Sequence, residues 1–253
     1  MQRSKIGWTD YSSGNANFVT GCTPVSEGCA NCYARRIYER FGWDFSQVQI
    51  HPDKLKRLMS SDRPREGNKL GPGKRPMVFV CDTGDLFYPS VPDWFLMDAF
   101  YLMALFKTSI YQMLTKRPDR MQRWLSSWPW WGREAKGLGE NIWLGASVEN
   151  QRRADERLVY LFNTPAALRF VSLEPMLEPM NIEPYLRKGI EWVIVGAESG
   201  PNRRPFDPAW AKDIYEQCQR AGVPFFGKQD SGLYPGVPLL IDGKIIHEWP
   251  NAH

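Results

Sequence analysis

Histidine is scarce in this chain: three among 253 residues, His51, His247 and His253, all in polar or terminal segments. Cysteine is little commoner, at five. Long hydrophobic runs are missing; the longest, "WFLMDAFYLMALF" (94–106), is broken by Asp98 and falls short of the roughly 20 residues a membrane helix needs. No membrane partner is expected. The N-terminal "MQRSKIGWTD" has charge but no following apolar stretch, so no secretory signal is expected either. Charge of one sign is also lacking. A net charge of +4 permits a nucleic-acid or nucleotide partner without demanding one. These absences point to the cytoplasm, where clustered cysteines bind metal more often than they form disulfides. What is present is ordinary for a globular chain: 43% hydrophobic and 24% charged residues. No internal repeat or second domain is evident. A single domain over 1–253 is expected, with a polar surface insertion at about 43–76 ("SSDRPREGNKLGPGKRP") and a short C-terminal extension from about 230.

Short β-branched or aromatic runs recur along the chain: "ANFVTG" (16–21), "MVFVCD" (77–82), "YQMLT" (111–115), "IWLGAS" (142–147), "LRFVSLE" (168–174), "WVIVGA" (192–197) and "PFFGK" (224–228). Most are continuously hydrophobic, as strands of a parallel sheet buried on both faces are. From the second run onward their starts lie 24 to 34 residues apart, the length of a βα unit. Helical patterns fill the gaps. "NQRRADERLVYLF" (150–162) sets Leu158, Leu161 and Phe162 on one face and arginines on the other. "DPAWAKDIYEQCQRAG" (207–222) has Asp207 as N-cap, Pro208 in the first turn and Gly222 as stop. The pattern predicts an α/β fold, a partial (β/α) barrel of about six to seven parallel strands.

In such architectures ligands gather at the carboxyl ends of the strands. The groups there are Cys22; Asp82, Thr83, Gly84 and Asp85; Lys116 and Arg117; Ser147 and Glu149; Glu174; Glu198; and Lys228 with Gln229. Strand ends meet water and are polar in any case, but nearly every strand contributes here. Three of the five cysteines, Cys22, Cys29 and Cys32, crowd into "GCTPVSEGCANCYARR" (21–36). Pairing them would leave one over. Cys81 and Cys218 fall on an expected strand and helix. Three thiolates without an obvious fourth ligand suit a [4Fe-4S] cluster with one open iron; a small zinc knuckle or an incidental thiol group stays open beside it.

The cysteine pattern resembles the radical S-adenosylmethionine superfamily. More closely, the phrases "GWTD", "TGCTPVSEGCANCYARR", "LTKRPDRM", "WLGASVEN", "VSLEPM", "VIVGAESGPNRRPFDPAW" and "GVPFFGKQ" resemble a phage- and bacteria-associated family of radical-SAM-like proteins. The superfamily resemblance implies a [4Fe-4S] cluster on Cys22, Cys29 and Cys32 and S-adenosylmethionine chelated on the open iron. It also implies reductive cleavage to a 5′-deoxyadenosyl radical and an external one-electron reductant such as flavodoxin or ferredoxin. The spacing departs from the usual C-x3-C-x2-C, being C-x6-C-x2-C here, and Asn31 stands where an aromatic is common, with Tyr33 just after.

By the same resemblance, "CDTGD" offers Thr83, Gly84 and Asp85 to the methionine end, and "GASVEN" offers Ser147 and Glu149. "VIVGAES" offers Gly196 and Glu198 near the adenine, and one of Lys116 and Arg117 is expected to hold the carboxylate. Glu174, Lys228 and Gln229 are left for the substrate. Cys81 is a candidate hydrogen-atom donor, although a buried structural cysteine is an equally plain reading of a strand position. Trp128, Trp130 and Trp131 could stack on bases or pack on the barrel wall. The substrate expected is a nucleobase or nucleotide, modified or rearranged by an isomerase, lyase or transferase step as in phage DNA hypermodification or repair. The alternative is a non-catalytic nucleic-acid-binding module held by zinc or a closed cluster.

Overall fold

The structure is a computed structural model that describes residues 2–60, 69–71, 74–128 and 139–251. Its elements run β1 (Gln2–Arg3), β2 (Tyr11–Ser12), β3 (Val19–Thr20), α1 (Tyr33–Arg40), β4 (Gln49–Ile50), α2 (Pro52–Ser60), β5 (Met77–Phe79) and α3 (Asp93–Leu105). There follow β6 (Ile110–Thr115), α4 (Pro118–Ser126), β7 (Ile142–Ser147), α5 (Gln151–Phe162), β8 (Leu168–Leu173), α6 (Glu183–Leu186), β9 (Trp192–Gly196), α7 (Pro208–Ala221), β10 (Phe225–Gln229), β11 (Leu240–Ile241) and β12 (Lys244–Ile245).

Seven parallel strands, β2 and β5 to β10 in that order, form one sheet curled into a half-barrel, with β1 antiparallel on its outer edge. Strands β7 and β9 are buried at every position, as their unbroken hydrophobic runs require. The caps hold as expected: Asp207 accepts from the Ala209 amide at 2.9 Å, and Gly222 ends α7 at φ 68°.

The first strand differs from the sequence expectation. Residues 16–21 are not a barrel strand: β3 pairs antiparallel with β4 in a separate ribbon, while Tyr11 in β2 pairs with Val78. The cause is the turn at Ser13 and Gly14, both at positive φ (59° and 58°), which lifts the chain out of the sheet. The ribbon then lies over the end of β5, with Gly21 N donating to Thr83 O at 3.0 Å and Cys81 N to Ala16 O at 2.9 Å. The segment expected as an insertion carries β4 and α2. At the far edge, the C-terminal extension returns along β10: Gly227 N donates to Ile246 O and Glu248 N to Phe225 O, both 2.9 Å, and His247 stacks on Phe226 at 4.2 Å. The exposed edge is thereby covered.

Alternation at period 2 divides the strand side chains between two cores. Val78, Tyr111, Met113, Leu144, Val171, Val193 and Phe225 join the helices. Met77, Phe79, Trp143, Phe170, Trp192 and Phe226 fill the concave side around Trp8 of the "GWTD" stretch. Gly145 is required there, since a methyl group on it would fall 2.5 Å from the Phe170 ring.

Candidate active site

The same alternation builds the site. Counting up each strand from its concave aromatic floor leads from Ile110 to Lys116, from Trp143 to Ser147, from Phe170 to Ser172 and Glu174, from Trp192 to Gly196, and from Phe226 to Lys228. These polar groups therefore converge above the floor. Lys116 Nζ donates to Ser147 Oγ at 2.9 Å, and Ser147 Oγ to Glu174 O at 3.3 Å. The Glu174 carboxylate accepts from Ser172 Oγ at 2.9 Å and pairs with Lys228 Nζ at 2.5 Å. Gly196 lies close beneath it, 2.9 Å from Glu174 Oε1 to a notional Cβ. Gln229, of opposite parity, turns away to Ala197 O (2.8 Å) and the Gly236 amide (3.2 Å). Lys228 thus stands in the mouth without its neighbour.

The cysteine loop spans this mouth and is held from several strand ends. Arg117 donates to Cys22 Sγ (3.4 Å) and Thr23 O (3.2 Å), lies 4.7 Å over the Tyr88 ring, and pairs with Asp85 at 2.9 Å. Asp85 also accepts from Thr115 Oγ1 at 2.8 Å and the Lys116 amide at 3.3 Å, so its carboxylate is fully occupied. Glu198 is paired with Arg204 and accepts from Asn31 Nδ2 at 2.8 Å; Arg204 also reaches Glu27 O at 2.9 Å. These contacts hold the Glu198 carboxyl below its ordinary value against the opposing effect of burial. Arg153 binds the Glu27 carboxylate at 3.0 Å.

Glu149 lies beneath the loop with no exposure, paired with Arg157 at 2.9 Å. A Cβ on Gly28 would approach its carboxyl carbon to 3.0 Å. Arg157, expected on the solvent face of α5, points inward to Ser147 O (2.7 Å) and Glu149, because a buried carboxylate needs a cation. Gly84 is dictated by proximity: a methyl group would stand 2.6 Å from Val19 O. The amide of its neighbour Thr83 donates to Asn17 Oδ1 at 3.4 Å.

Tyr33 opens α1 as an exposed residue, while its hydroxyl donates to Asp82 O. Burial of that hydroxyl, with the charges of Asp82, Cys32 and Glu174, raises its pKa. Cys81, at φ 58°, belongs to the core shared with the helices, its thiol pushed up by burial. Cys218 is in the α7 core. Trp128 packs on Trp124 with ring centroids 5.8 Å apart, whereas Trp130 and Trp131 lie outside the described residues.

Cys22, Cys29 and Cys32 are all free and half-buried. Burial and Asp85 raise the Cys22 thiol in spite of Arg117. Burial also raises Cys29, but hydrogen bonds from the Val25 and Ser26 backbone and the charge of Lys116 outweigh it, leaving its pKa lowered. Among the described residues no three His, Cys, Asp or Glu side chains are gathered to hold a metal ion. The donor chemistry nevertheless fits a cluster: three unpaired thiols on one loop, with guanidinium and ammonium groups beside them to offset thiolate charge.

The clamps Asn31, Arg153, Glu27 and Arg157 were not among the expected site residues. An arginine pair at i, i+4 directly after a strand-end glutamate was the available signal for Arg153 and Arg157.

A curled seven-stranded parallel sheet with a cysteine-bearing loop over its C-terminal mouth is a partial α/β barrel. The chain belongs to the family described as "Protein of unknown function (DUF5131)", whose model matches residues 3–236. No curated protein matches it in sequence. Its fold is similar to that of spore photoproduct lyase complexed with dinucleoside spore photoproduct, at 12% identity and a TM-score of 0.52, covering 92% of this chain and 78% of that one. A single-site variant of that lyase matches at 13% identity and 0.53 over the same shares. A double variant with bound AdoMet and dinucleoside spore photoproduct matches at 12% and 0.50, covering 86% and 75%.

Proposed function

We propose that this protein is a radical S-adenosylmethionine enzyme acting on a nucleobase or nucleotide substrate. The observation that carries the reading is the convergence of Lys116, Ser147, Glu174 and Lys228 above an aromatic floor, directly under a loop bearing three free thiols. The likeness to a lyase seen with AdoMet and a dinucleoside ligand supports the same choice of cofactor and substrate class. Cys22, Cys29 and Cys32 would hold a [4Fe-4S] cluster, which with S-adenosylmethionine supplies a 5′-deoxyadenosyl radical on one-electron reduction by a flavodoxin- or ferredoxin-like donor.

The chain's own groups divide by what they already hold. Lys116, with three donors and, among the described residues, only Ser147 engaged, would bind the methionine carboxylate. Thr83, Gly84 and Gly196 would line the cofactor's path, and Tyr33 would close one side. Lys228 and Glu174, paired across the mouth, would meet the substrate, and Cys81, buried in the core shared with the helices, would be the hydrogen-atom donor. Asp85, Arg117, Glu149 and Glu198 act through the loop they hold. Among the described residues no helix is long and apolar enough to cross a membrane; a phage-encoded enzyme working in the host cytoplasm fits this reading.

Anaerobic reconstitution tests it. Brown protein with about four irons per chain, releasing 5′-deoxyadenosine when reduced with S-adenosylmethionine, is the expected result. Alanine at Cys22, Cys29 or Cys32 should each abolish iron uptake, while Cys81→Ala and Cys218→Ala retain it. Colourless protein carrying zinc would replace the enzyme reading with that of a metal-held nucleic-acid-binding module.

A further inference from the structure

Helix α1 shows solvent a face that most helices bury. At 3.6 residues per turn, Arg36, Arg40, Tyr33, Ile37 and Phe41 occupy one continuous arc of about 140°, and all five are exposed. Ala34 is the only buried residue of the helix. The helix ends in a Schellman cap: Gly42 at φ 68° donates to Glu39 O at 3.1 Å, and Trp43 N donates back to Tyr38 O at 2.9 Å. That reversal lays Trp43 against Phe41, with centroids 5.0 Å apart and planes at 26°, and sets Tyr38 edge-on at 5.6 Å. Phe41 and Trp43 remain 60% and 58% exposed. A rigid aromatic platform thus stands about 12 Å along the helix from Tyr33, whose hydroxyl touches the candidate site at Asp82.

We propose that this face is a landing strip for a single-stranded nucleic-acid segment, its bases stacking on Phe41 and Trp43 and its phosphates meeting Arg36 and Arg40. The proposal rests on the nucleotide reading above and extends it from a free nucleotide to a polymer-linked one. Charge and shape both favour this occupant. Arg36 is fixed at the rim by a 3.1 Å bond to Ser199 O, and Arg40 makes no hydrogen bond or ion pair among the described residues. The nearest acid after the platform, Asp44, is occupied by Ser46 and Gln47. Flat exposed rings beside guanidinium groups are how proteins hold single strands without reading their sequence. An acidic protein partner would use the arginines but has no need of a preformed stack.

Fluorescence anisotropy of the intact chain with a labelled oligo-dT of about 12 nucleotides tests the proposal. Phe41→Ala and Trp43→Ala should each weaken binding by about 5- to 100-fold with the salt dependence unchanged. Arg40→Gln should weaken it and lower the slope of log affinity against log salt by about 0.7. All three side chains lie on the surface, and unchanged melting temperatures would verify folding. Oligonucleotide binding that ignores all three substitutions overturns the proposal, as does binding of an acidic electron-carrier protein at this face in place of the oligonucleotide. The two readings fail separately. Wild-type protein that takes up iron but shows no dependence on Phe41 or Trp43 defeats the strip alone. Protein that binds through them and takes up no iron defeats the cluster alone.

Discussion

Replacing Arg157 with Met should be the most destabilising conservative change in the barrel. Glu149 has no solvent exposure, Arg157 is its nearest cation among the described residues at 2.9 Å, and Arg153 stands off at 3.8 Å. Glu149 Oε1 already lacks a hydrogen-bond partner, and Gly28 packs over the carboxyl, closing the route for water. Methionine would fill most of the volume and supply no charge. Removing one member of a buried pair costs about 3–5 kcal/mol, and Arg157 also releases the Ser147 carbonyl, so the upper half of that range applies. For a domain of this size the melting temperature should fall by roughly 8–20 °C. The assay is urea unfolding followed by tryptophan fluorescence, alongside the double variant Arg157→Met/Glu149→Gln. Removing both charges should recover part of the loss, because the damage lies in the stranded carboxylate. A single variant within about 1 kcal/mol of wild type, or a double variant no more stable than the single, would refute the buried-pair account. Glu149 would then be free to face a ligand.

Four further outcomes follow from the same geometry. Gly84→Ala forces a methyl group to 2.6 Å from the Val19 carbonyl and should cost about 1–3 kcal/mol in thermal melts; an unchanged melting temperature would mean that the ribbon over β5 yields freely. Glu27, held to a pKa of about 2 chiefly by its hydrogen bond from Arg153, has a folded value below its unfolded one, so its contribution is present above the ordinary value of 4.5 and fades as pH falls toward 2. Peptic cleavage within 22–32 should therefore rise across that window, and a flat profile would remove Glu27 from the clamp. Lys228→Gln should spare uncoupled deoxyadenosine release and reduce product; a sharp loss of stability with unchanged turnover per folded molecule would make the Lys228–Glu174 pair structural. Truncation after Gly243 uncovers the β10 edge, and aggregation seen by light scattering is expected; a monodisperse truncated chain would contradict it.

Strands β5 to β10 were legible because each is a run of buried β-branched and aromatic residues repeated at βα spacing. Strand β2 was not, since two residues display no period and the left-handed turn at Ser13 cannot be read from serine. The stretch 16–21 took its place because it looks like a strand, and its Val19–Thr20 part is one, paired elsewhere. Among site residues, the cysteine group and the polar strand ends were visible in sequence order. Which strand-end residues face the mouth depended on parity and on a bulge near Gln229, and that separated Lys228 from its neighbour. The loop's anchors were hidden by distance along the chain, and Arg157 by its company, because an arginine in an amphipathic helix looks solvated until the carboxylate beneath it is known.

The long reach of those anchors sets an order of events at the ribosome. Asn31 is held by Glu198, 167 positions later, and Glu27 by Arg204, 177 positions later. At about 5–20 residues per second, roughly 10–35 s separate the emergence of the three thiols from that of Glu198 and Arg204, the last residues to clamp their loop. Through that interval the loop has at most Arg117 and Arg153 to hold it, and Cys22, Cys29 and Cys32 are open to oxidants and to metal carriers alike. The half-barrel thus offers its cysteines before it can enclose them, and the arrival of the segment after β9 marks the end of easy access to them.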